Sequence, residues 1–531
     1  MTRFAIVDQI NSRVEELLIS ENDKLVSRIW LPKGQGPWPA LLMRQPYGKE
    51  IASTITYAHP TWFASHGYLV IIQDVRGQGD STGSFSGFAQ EASDTTKTLK
   101  WVRSLPECNG KIGTYGFSYQ GFTQLVAEKG TPPPDCMAPA MTGLNEKIHW
   151  SCEGGAYLWH LGLAWGLQLA AQKLKRENNE FGWNQIRESL ANHSYLSKGP
   201  ELLETYDPKG MAYKWFKASK NKQGEWLVHI PLKQWLQSPM LIIGGWWDPH
   251  LNGILDIYKQ SLEVGGIPEL HIGPATHLKW WNGVQELHLN FFNKHLKTSN
   301  KELSPKPLKK IWNITSKQWF INENIKSSVI NFSLKSTGNA SSNINDGLLI
   351  TNKESNGLQV IVYDPWRPTP GIGGHLSPEP GLVNRIEIDQ RNDVATFTTN
   401  PCKNAFDIEG IPKLKIFAHT DRESFDLCVA LSIVNESQTR VDQLSTGTLR
   451  IQDLEANISS LKEISMQPLF ASISKGCRLR LSIAGGCWPA IGVNPGLSME
   501  DAGSPSIHSL ITTIFLDLKQ AKLEICPHLS K

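Results

Sequence analysis

Cysteine is scarce and unpatterned in this chain. Eight residues lie singly from Cys108 to Cys526 among 531, with no Cys-x-x-Cys spacing and no disulfide-dense segment. That excludes a stapled secreted scaffold, leaves each thiol as a small buried hydrophobe and fits a reducing cytosol. An excess of one charge is also missing. The 53 basic and 50 acidic residues give +3, and neither sign forms a long block. Neither a nucleic acid nor an anionic membrane surface is therefore expected as a partner. Long apolar runs are absent as well: Ala156 to Ala171 is interrupted by His160 and Gln168, and Lys173, Lys175 and Arg176 follow it. It is too short and too polar to span a bilayer. The first ten residues lack the apolar core and cleavage site of a secretory signal. No His-Glu-x-x-His or comparable ligand cluster occurs, so no metal is expected.

What is present is text for more than one hydrophobic core, because 531 residues exceed what a single core serves. From Leu25 to Gly143 apolar strands (Leu25 to Leu31, Pro39 to Met43, Leu69 to Gln73, Lys111 to Gly116) alternate with helical segments such as Ala92 to Ser104. This rhythm argues for a parallel sheet covered by helices. Between residues 144 and 235 the strands give way to amphipathic helical text, including Ala156 to Arg176 and Asn184 to Ala191. Strand character returns at Pro239 to Gly245 and Glu269 to Gly273, and the helical text of Gly283 to Leu296 closes the region. Lys297 to Lys310 reads as a polar linker. Beyond it, short β-rich runs recur between turn residues, as in Gln359 to Tyr363, Val394 to Thr398, Lys413 to Ala418, Leu427 to Val434 and Arg478 to Ile483. The expected division is an α/β core over 1–143 and 236–305, a helical insertion over 144–235, and an all-β sandwich or jelly roll over 306–531.

The most informative run is Lys111-Ile-Gly-Thr-Tyr-Gly116-Phe-Ser118-Tyr-Gln-Gly121. A strand turning sharply into a helix through small residues lifts a serine hydroxyl out of the sheet, which is the geometry of a nucleophile elbow. The usual second glycine, two residues past the serine, is replaced by Gln120, and Gly121 follows. A serine needs an imidazole to take its proton and a carboxylate to orient that imidazole. Two later strands end in such groups. Leu241-Ile-Ile-Gly-Gly-Trp-Trp-Asp248 presents Asp248, and Leu270-His-Ile-Gly-Pro-Ala-Thr-His277 presents His277. Serine, acid, histidine is the chain order of αβ-hydrolases. His250 and His271 are the competing bases. For the oxyanion, the Tyr119 N–H follows the nucleophile directly, and Tyr47 in Arg44-Gln-Pro-Tyr47-Gly48 is a candidate second donor. Eleven of the 19 tryptophans fall between Trp150 and Trp281. Trp246 and Trp247, which flank the acid, are the pair expected to wall a substrate pocket.

These motifs, with Asp74-Val-Arg-Gly-Gln-Gly-Asp-Ser-Thr-Gly83, Phe291-Phe-Asn-Lys-His-Leu296 and Asp364-Pro-Trp-Arg-Pro-Thr-Pro370, resemble the cocaine esterase / Xaa-Pro dipeptidyl-peptidase family of serine hydrolases along nearly the whole chain. The resemblance implies an αβ-hydrolase core, a helical cap and a carboxyl-terminal jelly roll. It implies a nucleophile at Ser118, an acid at Asp248, a base at His277 and a hydroxyl donor at Tyr47. Trp247 and Ala275-Thr276 depart from the family's usual loops at non-catalytic positions. Arg76 and Asp80 are read as loop ties. The expected substrate is a small-molecule ester or a short peptide, with no cofactor, and a homo-oligomer is compatible with the text. A peptidase of this kind grips an α-ammonium, for which Glu146, Glu153 and Asp256 are the available acids. The competing reading is a glycan- or partner-binding protein with a vestigial hydrolase core.

Overall fold

The alternating text of the first third folds into one side of a ten-stranded sheet. The computed structural model describes residues 10–50, 57–220, 224–298, 306–321, 329–351, 355–452, 456–497 and 503–526. Strands β1 (Ser12–Leu18), β2 (Lys24–Trp30), β3 (Trp38–Gln45), β4 (Leu69–Asp74), β5 (Cys108–Phe117) and β6 (Cys136–Ala140) carry the helices α1 (Pro60–Ser65), α2 (Glu91–Ser104) and α3 (Tyr119–Phe122) between them. The chain then leaves the sheet through a short hairpin, β7 (Cys152–Glu153) and β8 (Ala156–Tyr157). The cap helices α4 (Trp159–Arg176), α5 (Glu180–Ala191), α6 (Tyr195–Tyr206) and α7 (Met211–Ser219) follow, and then the short α8 (Lys233–Leu236). It returns through β9 (Leu241–Trp247), α9 (Leu251–Glu263), β10 (Glu269–Thr276) and α10 (Val284–Phe292). Among the described residues no helix is long and apolar enough to cross a membrane.

Two further strands, β11 (Leu308–Asn313) and β12 (Gln318–Ile321), complete the order β1-β2-β4-β3-β5-β6-β9-β10-β11-β12. From β4 to β11 all neighbours are parallel, and β1, β2 and β12 add antiparallel flanks. Parallel strands are buried on both faces, which is why β4, Leu-Val-Ile-Ile-Gln-Asp, is buried at all six positions. The edge strand β1, Ser-Arg-Val-Glu-Glu-Leu-Leu, instead alternates exposed with half-buried positions and carries three charges. From β3 the chain passes to β4 on one side and then to β5 on the other. The carboxyl ends of β3 and β5 therefore flank a topological switch point, where open α/β sheets form their binding crevice.

Strands β11 and β12 lie in text expected to begin the β domain, yet they extend the first sheet. Leu308 pairs with Glu269 in parallel register, and the alternation of β11 turns Ile311 inward. The turn after β11 is the seam between sheets: Ile314 N–H donates to the Phe470 carbonyl at 2.8 Å, and Asn313 Nδ2 donates to Ser472 Oγ at 2.9 Å. Half of the expected linker, 299–305, lies outside the described residues.

The remaining strands form an eleven-stranded, mostly antiparallel sheet of jelly-roll type. Its long strand Thr512–Cys526 pairs with Ile330–Lys335, Leu358–Tyr363 and Phe406–Thr420. The fold is an αβ-hydrolase core with an inserted helical cap and a carboxyl-terminal β domain.

Candidate active site

Ser118 sits between β5 and α3 with φ 59° and ψ −128°. A non-glycine residue rarely holds such dihedrals, at a cost of about 1–3 kcal/mol, unless its surroundings fix it. Here Ser118 N–H donates to the carbonyls of Ala140 (3.0 Å) and Met141 (3.1 Å), while its own carbonyl accepts from Gly121 (2.9 Å) and Phe122 (3.1 Å). The two glycines make the bend sterically feasible. A Cβ on Gly116, whose φ is 141°, would lie 2.4 Å from Gln120 Cβ, and one on Gly121 would lie 2.8 Å from the Ala140 carbonyl oxygen. The close approach of helix to sheet thus falls at Gly121. That frees position 120 to carry a side chain, and Gln120 Nε2 donates to Gln45 Oε1 at 2.9 Å.

The structure brings the expected acid and base together. His277 Nδ1 lies 2.6 Å from Asp248 Oδ2. Asp248 is fully buried, its Oδ1 accepts from His250 N–H at 2.8 Å, and its carbonyl accepts from Gln467 Nε2 at 2.8 Å. Burial pushes the Asp248 carboxyl up, but the adjoining His277 and His250 and the hydrogen bonds they make outweigh it. The net effect holds the group below the usual carboxylate range, ionised and able to orient the imidazole. Of the rival bases, His250 borders the same cavity as Ser118 and His271 does not. His250 Nδ1 bonds the His149 carbonyl at 2.6 Å, and burial lowers its pKa to about 4. His271 is enclosed within β10, and burial lowers its pKa to about 4 as well.

Tyr119 opens α3, where the first N–H groups of a helix have no intrahelical acceptor. Its side chain turns away from the crevice and donates to Glu91 Oε1 at 2.7 Å, so only its backbone faces the bend. Tyr47 follows β3 on the other side of the switch point. Its hydroxyl accepts from Trp165 Nε1 at 3.1 Å and borders the same cavity as Ser118. Burial of that hydroxyl pushes its pKa up to about 12, so it remains a proton donor. The expected loop ties are present too: Arg76 Nε donates to Asp94 Oδ2 at 3.1 Å, and Lys49 pairs with Asp80. Asp94, inside α2, thereby ties that helix to the loop after β4.

Ser118, Tyr47 and His277 open onto one cavity of about 420 Å³. Its far wall comes from the cap, as Trp150, Trp165 and Trp215. The expectation for Trp246 and Trp247 is corrected here, because neither lines this cavity. Trp246 is buried and donates Nε1 to the Trp312 carbonyl of β11 at 2.6 Å, and Trp247 packs against the core. Proximity to Asp248 in sequence did not fix which way the strand-end side chains point. The missed residues had a signal: Leu158, Leu161, Gly162, Trp165 and Gln168 all line the cavity, and their spacing is that of one helix face. The three acids also separate. Glu146 accepts from Trp215 Nε1 at 2.7 Å, behind the wall. Glu153 and Asp256 line a neighbouring cavity of about 410 Å³ that shares Leu158 and Pro249 with the first.

Comparison with known proteins agrees with this architecture. Residues 21–279 match the model of the X-Pro dipeptidyl-peptidase (S15) family, and residues 287–516 match that of the X-Pro dipeptidyl-peptidase C-terminal non-catalytic domain. Cocaine esterase of Rhodococcus sp. (strain MB1 Bresler) is 24% identical over 466 residues, covering 80% of this chain and 81% of its own. Two solved structures share the fold over nearly the full length. An aminopeptidase from a marine sediment Thaumarchaeota archaeon gives a TM-score of 0.72 at 17% identity, covering 99% of this chain and 97% of its own. A CocE/NonD family hydrolase from Staphylococcus aureus gives 0.71 at 16%, covering 98% and 94%. With its hydrolase core and β domain both matched by that family's models, the chain belongs to the X-Pro dipeptidyl-peptidase (S15) family of serine hydrolases.

Proposed function

We propose that this serine hydrolase cleaves esters of an apolar, ring-sized acyl group through an acyl-enzyme on Ser118. The observation that carries the reading is the 2.6 Å contact between His277 and Asp248 at a cavity shared with Ser118 and Tyr47. Ser118 Oγ attacks the carbonyl carbon while its proton passes to His277 Nε2, and Asp248 holds the ring and balances the imidazolium. The Tyr119 N–H and the Tyr47 hydroxyl receive the oxyanion. Collapse expels the alkoxide, which takes the proton from His277. Water then attacks the acyl-enzyme with His277 again as base, releasing the acid and restoring Ser118.

The choice of an ester over an Xaa-Pro peptide rests on the wall of the cavity. Among the described residues lining it none is acidic, so it offers no carboxylate to a free α-ammonium, while three indole rings offer apolar surface. The seven described cysteines are unpaired, which fits action in a reducing compartment such as the cytosol.

The test is Ser118→Ala assayed with p-nitrophenyl esters of aromatic acids. The variant is expected to lose about 10³-fold or more in kcat/KM and to resist a fluorophosphonate probe that labels the native chain. Undiminished turnover in the variant overturns the nucleophile. An unlabelled native chain returns the binding-protein reading. Faster hydrolysis of Xaa-Pro p-nitroanilides than of the esters overturns the substrate class.

A further inference from the structure

The three cap tryptophans that face the cavity send their indole N–H groups to different places. Trp150 donates to the Gly143 carbonyl at 2.9 Å and Trp215 to Glu146 Oε2 at 2.7 Å, both acceptors within the cap and its base. Trp165, on α4, donates instead to the Tyr47 hydroxyl of the core at 3.1 Å. Its ring stacks on Trp150, 5.9 Å away at 27°, and is tilted against Trp215, 5.7 Å away at 35°. The aim of its N–H is therefore fixed by packing on two sides.

We propose that Trp165 is a positioning residue of the oxyanion site: its N–H occupies the Tyr47 oxygen and directs the phenolic proton at the substrate carbonyl held over Ser118. The inference rests on the role given to Tyr47 above. A phenol has one proton to give and two lone pairs to share, whereas an indole N–H only donates. The side-chain hydrogen bond that the Tyr47 hydroxyl accepts comes from Trp165, and the hydroxyl borders the cavity it shares with Ser118. Since Trp165 cannot accept, the phenolic proton points away from it, toward the cavity shared with Ser118, where negative charge develops during attack. A bond donated to the phenol oxygen also polarises the O–H and strengthens it as a donor. No proton is transferred, and Tyr47 stays neutral throughout. One consequence is structural: because Trp165 belongs to α4, the oxyanion site is complete only while the cap is docked on the core.

The experiment is a double-mutant cycle in the full-length chain with Trp165→Phe, Tyr47→Phe and the pair, measuring kcat and KM separately for a p-nitrophenyl ester of an aromatic acid. An isosteric arm installs benzothienylalanine at position 165, which replaces the N–H by sulfur and keeps the ring shape. Tyr47→Phe is expected to lower kcat by about 10²-fold, in the range seen when one oxyanion donor is removed. Trp165→Phe and the isostere are each expected to lower kcat by roughly tenfold, and the double variant to match Tyr47→Phe within about twofold. Independent losses that multiply in the double variant overturn the proposal. So does an unchanged kcat with a raised KM, or a native kcat in the isostere, since either leaves Trp165 only as a wall of the acyl cavity. A native kcat in Tyr47→Phe overturns the reading of Tyr47 itself.

Discussion

The side-chain amide of Gln467 donates to the carbonyl oxygen of Asp248 at 2.8 Å, joining positions 219 residues apart. Gln467 belongs to the β domain and is buried, and its backbone N–H is itself held by the Thr446 carbonyl at 2.9 Å. The β domain therefore grips the loop that presents Asp248, just before the Pro249-His250 turn that leads into α9. A domain that only added mass to the hydrolase would not need a buried amide at this point.

Gln467→Ala removes that grip and is expected to cost about 1 kcal/mol in stability, the usual worth of one such bond. It should also lower kcat by several-fold, with KM for a p-nitrophenyl ester little changed. Thermal unfolding and steady-state kinetics check both. A loss of stability with native kcat would make the contact purely structural.

The two histidines nearest Asp248 separate base from bystander. His277→Gln is expected to reduce acylation by about 10³-fold or more, measured as the burst with an activated ester. His250→Gln should reduce it by no more than about tenfold, because the His250 backbone N–H that serves Asp248 survives the substitution. Equal losses in the two variants would return His250 to contention as the base.

At the elbow, Gly121→Ala places a methyl group 2.8 Å from the Ala140 carbonyl oxygen, which also accepts the Ser118 N–H. Relief of the clash must push the backbone that anchors the nucleophile. Overpacking of this kind costs about 1–3 kcal/mol, and kcat should fall with it because Ser118 loses one of its two anchors. Urea denaturation together with esterase assays checks the pair of effects. Native stability and native kcat together would contradict the packing role of Gly121.

The candidate triad was more legible in local sequence pattern than the cavity wall, for a physical reason. Ser118, Asp248 and His277 each follow an apolar strand that carries glycine near its carboxyl end, and such a pattern is a local feature. The cavity wall is not local. Whether Trp165 or Trp246 meets substrate depends on how α4 crosses the crevice and which way a strand-end side chain turns, and both are decided by tertiary packing. Strand β6 escaped notice because it is five residues long and carries Pro139, a residue that argues against a central strand, yet it pairs with β5 through Gly116 and Pro139. Strand β1 was hidden by its charges, which suit an edge. The class change after the linker was legible, but not that β11 would first complete the hydrolase sheet, because a short alternating strand fits either sheet equally well.

The pH dependence of stability offers a test away from the site. His288 is fully buried on α10, bonds the Val284 carbonyl through Nδ1 at 2.7 Å, and burial lowers its pKa to about 4. In the unfolded chain the same ring takes a proton near the ordinary value of about 6.5. Between these two values the unfolded state binds more protons than the folded one, so His288 makes the native chain lose stability as pH falls from about 6.5 to 4, by up to roughly 1.4 kcal/mol per pH unit. Above that window both states are neutral and the contribution is constant. His288→Gln keeps a side chain of similar polarity without the titration. Its stability deficit against the native chain should therefore be largest above pH 6.5 and should narrow steadily toward pH 4. Urea-denaturation midpoints across this range for both chains give the comparison, and parallel profiles would mean that His288 protonates in the folded state as freely as in the unfolded one.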